Sequence, residues 1–186
     1  MSRTEHWSFI LEKINMYPCD TFSFIFYGDE IECHTFKDIS IPDSDMIFSN
    51  SYIICRGSSQ SIKRHIQIKK NARGNIYLLM HLGLATVAPL QRFIFKRECA
   101  RLLSFSNENP YFSDQDAIIS LLSHKNISIR YIDSPFYVFN LKSRRVENNM
   151  KLIDKLSLAK KFFKKHNCKT GFVLYTIMQL IKHVIR

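Results

Sequence analysis

Cysteine is scarce and badly placed for metal or redox chemistry. The five cysteines stand at positions 19, 33, 55, 99 and 168, an odd set with no two closer than fourteen positions. That spacing excludes CxxC zinc and dithiol sites and leads us to expect reduced thiols in a cytosolic protein. Five glycines and five prolines are too few for a collagen-like or low-complexity chain. A Gly-rich phosphate loop, an HExxH zinc helix and a GxSxG nucleophile elbow are all missing, and no internal repeat recurs. The start, Ser2-Arg3-Thr4-Glu5-His6-Trp7, is polar and unlike a secretory leader. The seven histidines are scattered without ligand spacing, and Cys33-His34 are adjacent, which is poor geometry for a shared metal.

What is present is a core and a large positive charge. Of 186 residues 46% are apolar and 23% charged, with 15 phenylalanines, enough for one domain with a buried interior. Lys and Arg number 27 against 16 Asp and Glu, a formal net charge of +11. The charge comes in blocks. Residues 1–55 are net −6, residues 56–101 net +9, residues 102–140 net −2 and residues 141–186 net +10. A tail this basic is attracted to polyanions, either an anionic membrane leaflet or nucleic acid, although a solvated lysine-rich helix explains the same composition.

Hydrophobic periodicity gives the element order. Trp7, Ile10, Leu11 and Ile14 fall at helical spacing, with Pro18 closing the helix. Thr21–Tyr27 and Asp45–Ile54 read as buried strands, and Ile62–Ile68 as a half-exposed one. The stretch Ile76–Val87 reads as a helix broken by Pro89. Phe93–Phe95 leads as a strand into a helix over Lys96–Leu103. Ser113 is placed as an N-cap, with Asp116 completing a capping box, before a helix running to Leu122. Ser128–Ile132 and Phe136–Phe139 read as strands.

Two helices finish the chain. Lys151–Lys165 is amphipathic, with Leu152, Ile153, Leu156, Ala159 and Phe163 on one face and lysines on the other. Gly171–Arg186 is almost wholly apolar, ends in Lys182, His183 and Arg186, and carries a stripe of Thr176, Gln179, His183 and Arg186 at i, i+3, i+7 and i+10. The apolar run is shorter than the roughly 18 residues of a span, so an in-plane, interfacial helix is expected, with docking on the domain's own core as the alternative. Strands alternating with helices predict an α/β fold. The expected domains are a core over 1–140 and a basic helical extension over 141–186 that faces a membrane.

Two acidic clusters carry candidate chemistry. Asp29-Glu30 stand where an aromatic strand runs out, and the carboxyl ends of strands are where α/β sheets bind ligands. Adjacent carboxylates there suit a divalent cation, while Gly28-Asp29 is equally ordinary turn chemistry. Asp114-Gln115-Asp116 open a helix, where acids favour the macrodipole; a carboxylate there can also serve as a general base. Lys63, Arg64, Lys69, Lys70 and Arg73, with Tyr77 nearby, could track a nucleic-acid backbone, but no recognised motif accompanies them.

The order of these segments resembles the family 2 glycosyltransferases of bacterial surface-polysaccharide synthesis. Phe24-Ile-Phe-Tyr-Gly-Asp-Glu30 is similar to the strand that ends in the family's DxD motif. Ser44–Ile54 resembles the next strand, and Ala88–Glu98 the acceptor-side strand ending in a basic step. Asn109–Ile119 resembles the ED motif that opens a helix, with Gln115 where the family usually has Glu. Ile127–Pro135 resembles the strand and turn that follow, and the basic helix and apolar tail are similar to the family's membrane-facing end. The resemblance covers roughly residues 20–186.

The resemblance implies a partial GT-A-like mixed sheet with flanking helices and a C-terminal basic amphipathic tail. It implies sugar transfer from a nucleotide-sugar donor to a saccharide or lipid-linked acceptor, at the inner face of the cell membrane. In that reading Asp29 and Glu30 hold Mn or Mg on the diphosphate, and Asp116, or alternatively Asp114, is the catalytic base. Arg92, Lys96 and Arg97 contact acceptor or phosphate. The family's opening strand–helix–strand unit, which holds the nucleotide, has no counterpart before Thr21, and Tyr27 stands where the first DxD acid belongs. An inactive remnant, half of a split enzyme, and a basic module binding nucleic acid or a partner are the alternatives.

Overall fold

A computed structural model describes residues 3–26, 28–32, 44–56, 59–64, 78–84, 89–124, 126–140 and 150–185. The helices are α1 (Arg3–Met16), α2 (Ser113–Ser123), α3 (Leu152–Lys165) and α4 (Lys169–Val184). The strands are β1 (Thr21–Phe22), β2 (Glu30–Ile31), β3 (Met46–Ser49), β4 (Ser51–Arg56), β5 (Ser59–Arg64), β6 (Phe93–Lys96), β7 (Ile129–Ile132) and β8 (Tyr137–Asn140). They form two four-stranded mixed sheets, ordered β1-β6-β3-β7 and β2-β8-β4-β5. The fold is α/β, as the alternation of strands and helices predicts.

In the first sheet β6 runs antiparallel to both β1 and β3, while β7 is parallel to β3. Thus β1, β3 and β7 share one direction and end at one edge. Met46, Ile47 and Phe48 on β3 and Phe93, Ile94 and Phe95 on β6 are all buried, because helices and the second sheet leave neither face to solvent. Phe95 stacks on Phe22 at 5.2 Å and on Phe93 at 5.5 Å. Trp7 of α1 closes one end of this aromatic row, 4.9 Å from Phe105 and 5.4 Å from Phe26. The expected face of α1 is the one that packs: Trp7 and Leu11 are buried, with Ile10 and Ile14 partly so.

Four expected elements differ in detail. The strand predicted over Thr21–Tyr27 is paired only at Thr21–Phe22; beyond it the Ser23 hydroxyl donates to the Phe93 carbonyl at 2.8 Å, where a backbone rung would otherwise continue. The single strand predicted over Asp45–Ile54 is two strands in different sheets, broken at Asn50. A 3-10 turn, Arg97–Arg101, replaces the helix predicted over Lys96–Leu103, and both Leu102 N–H and Leu103 N–H donate to the Cys99 carbonyl where it ends. The N-cap of α2 is Phe112, not Ser113, and no side chain caps it. The capping box does not form because the Asp116 carboxylate turns to α3 instead, as set out below. Of the helix predicted over Ile76–Val87, residues 78–81 are helical, and residues 76, 77 and 85–87 lie outside the described set. The strand expected to reach Ile68 is seen to Arg64, with residues 65–68 outside that set.

The C-terminal helices share the core. Ala159, Phe162 and Phe163 of α3 and Tyr175 of α4 are buried in the same cluster as Phe112 and Leu121 of α2. Gly171 permits the closest approach: a Cβ there would overlap the Met80 carbonyl oxygen and lie 2.8 Å from Cys168 Sγ. Among the described residues no helix is long and apolar enough to cross a membrane.

An unpredicted bracket fixes the starts of β3 and β7. Asp45 Oδ2 accepts from Ser128 N–H at 2.8 Å and from Ser128 Oγ at 2.7 Å. Desolvation pushes this carboxyl up, but the Ser128 hydrogen bonds and Lys96 outweigh it and hold it below its usual range. The Asp45 carbonyl also accepts from Cys99 Sγ at 3.3 Å. Burial, with Asp45 and Glu98 nearby, pushes the Cys99 thiol up to about 11, and burial raises Cys168 as well. Cys19 and Cys55 are partly exposed. In native protein near neutral pH, an alkylating reagent is therefore expected to modify Cys19 and Cys55 well before Cys99 and Cys168. Peptide mass spectrometry over a labelling time course reads this order, and early labelling of Cys99 would contradict the packing.

Candidate site at the carboxyl edge of the first sheet

The break at Asn50 places a polar cluster at the shared carboxyl edge. β3 and β7 leave the first sheet side by side and enter the second as β4 and β8, which are again parallel. The paired crossovers are stitched by side chains. Asn50 N–H donates to the Ile132 carbonyl at 2.9 Å, and Asn50 Nδ2 to Asp133 Oδ1 at 3.2 Å. Ser49 Oγ is 2.8 Å from the Ser134 carbonyl, and Ser51 Oγ donates to the Asp133 carbonyl. Ser49, Asn50 and Ser51 are all buried, so each needs these partners.

Arg92 closes the cluster from the start of β6. It is 1% exposed, sits 4.6 Å over the Phe48 ring and 5.4 Å over the Tyr52 ring, and donates through Nη2 to the Ser49 carbonyl. Its Nε and Nη1 have no hydrogen-bond partner among the described residues, and neither does the nearby Asn50 Oδ1. Burial pulls the guanidinium down to about 10, against a small opposing effect of Tyr52, so it remains charged at neutral pH. A buried cation held by rings and a carbonyl, with no carboxylate on it among the described residues, is a fixed positive charge behind the strand ends.

Lys96 and Arg97 are at the other end of β6. Lys96 pairs in register with Thr21, its N–H donates to the Asp45 carbonyl at 2.8 Å, and Arg97 Nη2 donates to the Asn15 carbonyl at 2.8 Å. Three strand residues, Phe93, Ile94 and Phe95, therefore separate Arg92 from the two basic residues grouped with it, at roughly 3.3 Å per residue.

Asp29 lies past the carboxyl end of β1, in the turn that enters β2. Gly28 takes φ +84° there, a conformation glycine adopts without strain. Asp29 Oδ1 accepts from Asn140 N–H at 3.0 Å, and Oδ2 accepts from the Tyr137 hydroxyl. These bonds orient the carboxylate and still leave lone pairs on both oxygens. Glu30 is exposed and paired with Val138. Among the described residues no three His, Cys, Asp or Glu side chains come together as a metal-binding group. A cation held by Asp29 would be bound through carboxylate oxygen, the hard donor that suits magnesium.

Asp116 opens α2, which packs against the 3-10 turn carrying Arg92. It is 4% exposed. Its Oδ1 is 2.6 Å from His166 Nε2, and its Oδ2 accepts from Lys165 Nζ at 3.0 Å. The two partners differ in exposure: the Lys165 side chain is 54% exposed and that of His166 only 9%, with the imidazole edge-on to Phe162 at 5.0 Å. Gln115 is buried and donates to Asp114 Oδ2 at 3.2 Å.

The structure thus brings Arg92 beside the helix that carries Asp114 and Asp116, anchors Asp29 to β8, and sets Lys96 and Arg97 apart. Sequence reasoning missed Ser49, Asn50, Ser51, Asp133 and His166. The Ser-Asn-Ser interruption of a β-rich run was the one available signal. Lys69, Lys70, Arg73, Tyr77, Cys33, His34 and Tyr27 lie outside the described residues. No protein family matches the chain, and no curated protein matches it in sequence.

Proposed function

We propose that the chain is a glycosyltransferase-like protein of surface-polysaccharide assembly, moving a sugar from a nucleotide-sugar donor to a saccharide or lipid-linked acceptor. The observation that carries the reading is one of placement. Three of the segments that bear the family resemblance supply β3, β6 and β7, adjacent strands of one sheet, Asn109–Ile119 opens α2 with Asp116, and Phe24–Glu30 follows β1 and leads into β2.

In this reading the acceptor hydroxyl oxygen bonds to the anomeric carbon as the bond to the donor diphosphate breaks. Asp116 takes the hydroxyl proton on Oδ2 once the exposed Lys165 swings away, while His166 keeps the carboxylate aligned through Oδ1. Asp114 is the alternative base. Asp29, oriented by Tyr137 and Asn140, would hold a divalent cation, with Glu30 adding negative charge at the rim. Such a cation supplies charge neutralisation on the leaving diphosphate. Arg92 adds positive potential from behind the crossovers, where low dielectric strengthens it. Lys96 and Arg97 act on an acceptor only if it reaches the opposite edge of the sheet. The net +10 of residues 141–186 supports work at the anionic inner face of the membrane, at about 1 kcal/mol per basic residue near the surface.

Calorimetric titration of nucleotide sugars with manganese or magnesium tests the donor site. Cation-dependent binding that Asp29→Ala removes is the expected result, and no binding by folded wild type would overturn the reading. Arg92→Met separates stability from function. Removing a guanidinium with two unpaired nitrogens offsets the lost Ser49 contact, so stability is expected to stay within about 1 kcal/mol. Donor affinity should fall about tenfold or more. A variant that binds donor like wild type would remove Arg92 from the site.

A further inference from the structure

We infer that α4 and the segment 78–84 together form one apolar face that inserts into the headgroup region of an anionic bilayer. The inference rests on the membrane location proposed above and adds to charge attraction a defined inserting surface. α4 docks through Gly171 and Tyr175, yet Val173, Leu174, Ile177, Leu180, Ile181 and Val184 are 41–84% exposed. Their spacing, i, i+1, i+4, i+7, i+8 and i+11, puts them on one side of the helix, and no charged residue interrupts it. Globular domains do not spend six large aliphatic side chains on water over one helix face.

A second segment extends the face. Leu78, Leu82 and Leu84 are 56%, 53% and 36% exposed. They are held against α4 at Gly83, where an added Cβ would lie 2.7 Å from Tyr175 N and 2.9 Å from Leu174 Cβ. Gly83 takes φ +81° there, and His81 Nδ1 lies 3.0 Å from Thr170 Oγ1. Two elements far apart in sequence therefore present apolar side chains side by side.

Charge selects the occupant. Exposed Lys160, Lys161, Lys164, Lys169 and Lys182 lie on α3 and α4, in a region of net +10. A second copy meeting this face would bring like charges together. An anionic bilayer satisfies both features, with lipid phosphates for the lysines and the acyl boundary for the aliphatic face. Because no described helix is long and apolar enough to span, the helix lies in the plane of the interface.

The test is vesicle sedimentation of the full chain with phosphatidylcholine alone and with phosphatidylcholine plus phosphatidylglycerol, at low and high salt. Ile177→Ser/Ile181→Ser is the variant; both positions are exposed, so the fold is retained, as circular dichroism checks. Wild type is expected to prefer anionic vesicles, to keep part of its binding at high salt, and to lose about tenfold in the variant. Binding that salt abolishes and the substitutions leave unchanged would overturn the inserting face while leaving charge-driven attachment standing. No binding to either vesicle would overturn both. Concentration-dependent dimers that the substitutions dissolve, without vesicle binding, would assign the face to a second copy instead.

Discussion

Phe95→Ala is expected to lower the unfolding free energy by about 4 kcal/mol, the largest loss from any single substitution considered for this chain. Phe95 is fully buried, stacked on Phe22 and Phe93 and edge-on to Phe24 at 6.1 Å. Truncation empties the middle of an aromatic row in which Phe22 and Phe93 sit on paired strands and cannot collapse inward, so a cavity adds to the lost burial. Against a total of about 5–15 kcal/mol, much of the margin goes. Ile62, on β5 and 62% exposed, is the control, and Ile62→Ala should stay within about 0.5 kcal/mol. Urea midpoints measure both. Equal, small losses would mean that the first sheet is not the centre of the core.

Asp116 gives the second large effect, and there structure and chemistry coincide. Asp116→Ala removes the carboxylate from His166 and Lys165 and is expected to cost about 2–3 kcal/mol. The exposed lysine contributes little of this and the buried imidazole most. Asp116→Asn keeps a hydrogen-bonding group toward His166 and should cost about half as much. Lys165→Met isolates the roles: it frees Oδ2 at little cost in stability. If Asp116 serves only as a tie between α2 and α3, all three variants follow stability alone. If it is the base, Asp116→Asn abolishes transfer in a folded protein, and Lys165→Met retains it.

Periodicity made the helices legible, because α1, α3 and α4 each bury one stripe on a long segment. The strands were legible as apolar runs but their partners were not. The polar Ser49-Asn50-Ser51 interruption was the one local signal of a break, and it does not say which sheet follows; the hydrogen bonds that settle this go to residues 132–134, more than eighty positions on. The same holds for Asp116. Its sequence neighbours suggested a capping box, and the competing partners on α3 lie about fifty residues away. Arg92 was grouped with Lys96 and Arg97 as an acceptor or phosphate contact. Its burial depends on the Phe48 and Tyr52 rings, which only tertiary packing brings over the guanidinium. The exposed face of α4 was legible as apolar, whereas its continuation through Leu78, Leu82 and Leu84 was not.

Release of nucleoside diphosphate from a panel of nucleotide sugars measures the proposed sugar transfer itself. The full chain would be supplied with manganese or magnesium and a bacterial lipid extract as acceptor source, alongside Asp116→Asn. Cation-dependent release by wild type from at least one donor is expected, lost in Asp116→Asn while the fold persists. A folded wild-type chain that releases nothing from any donor, or an Asp116→Asn variant as active as wild type, would contradict it.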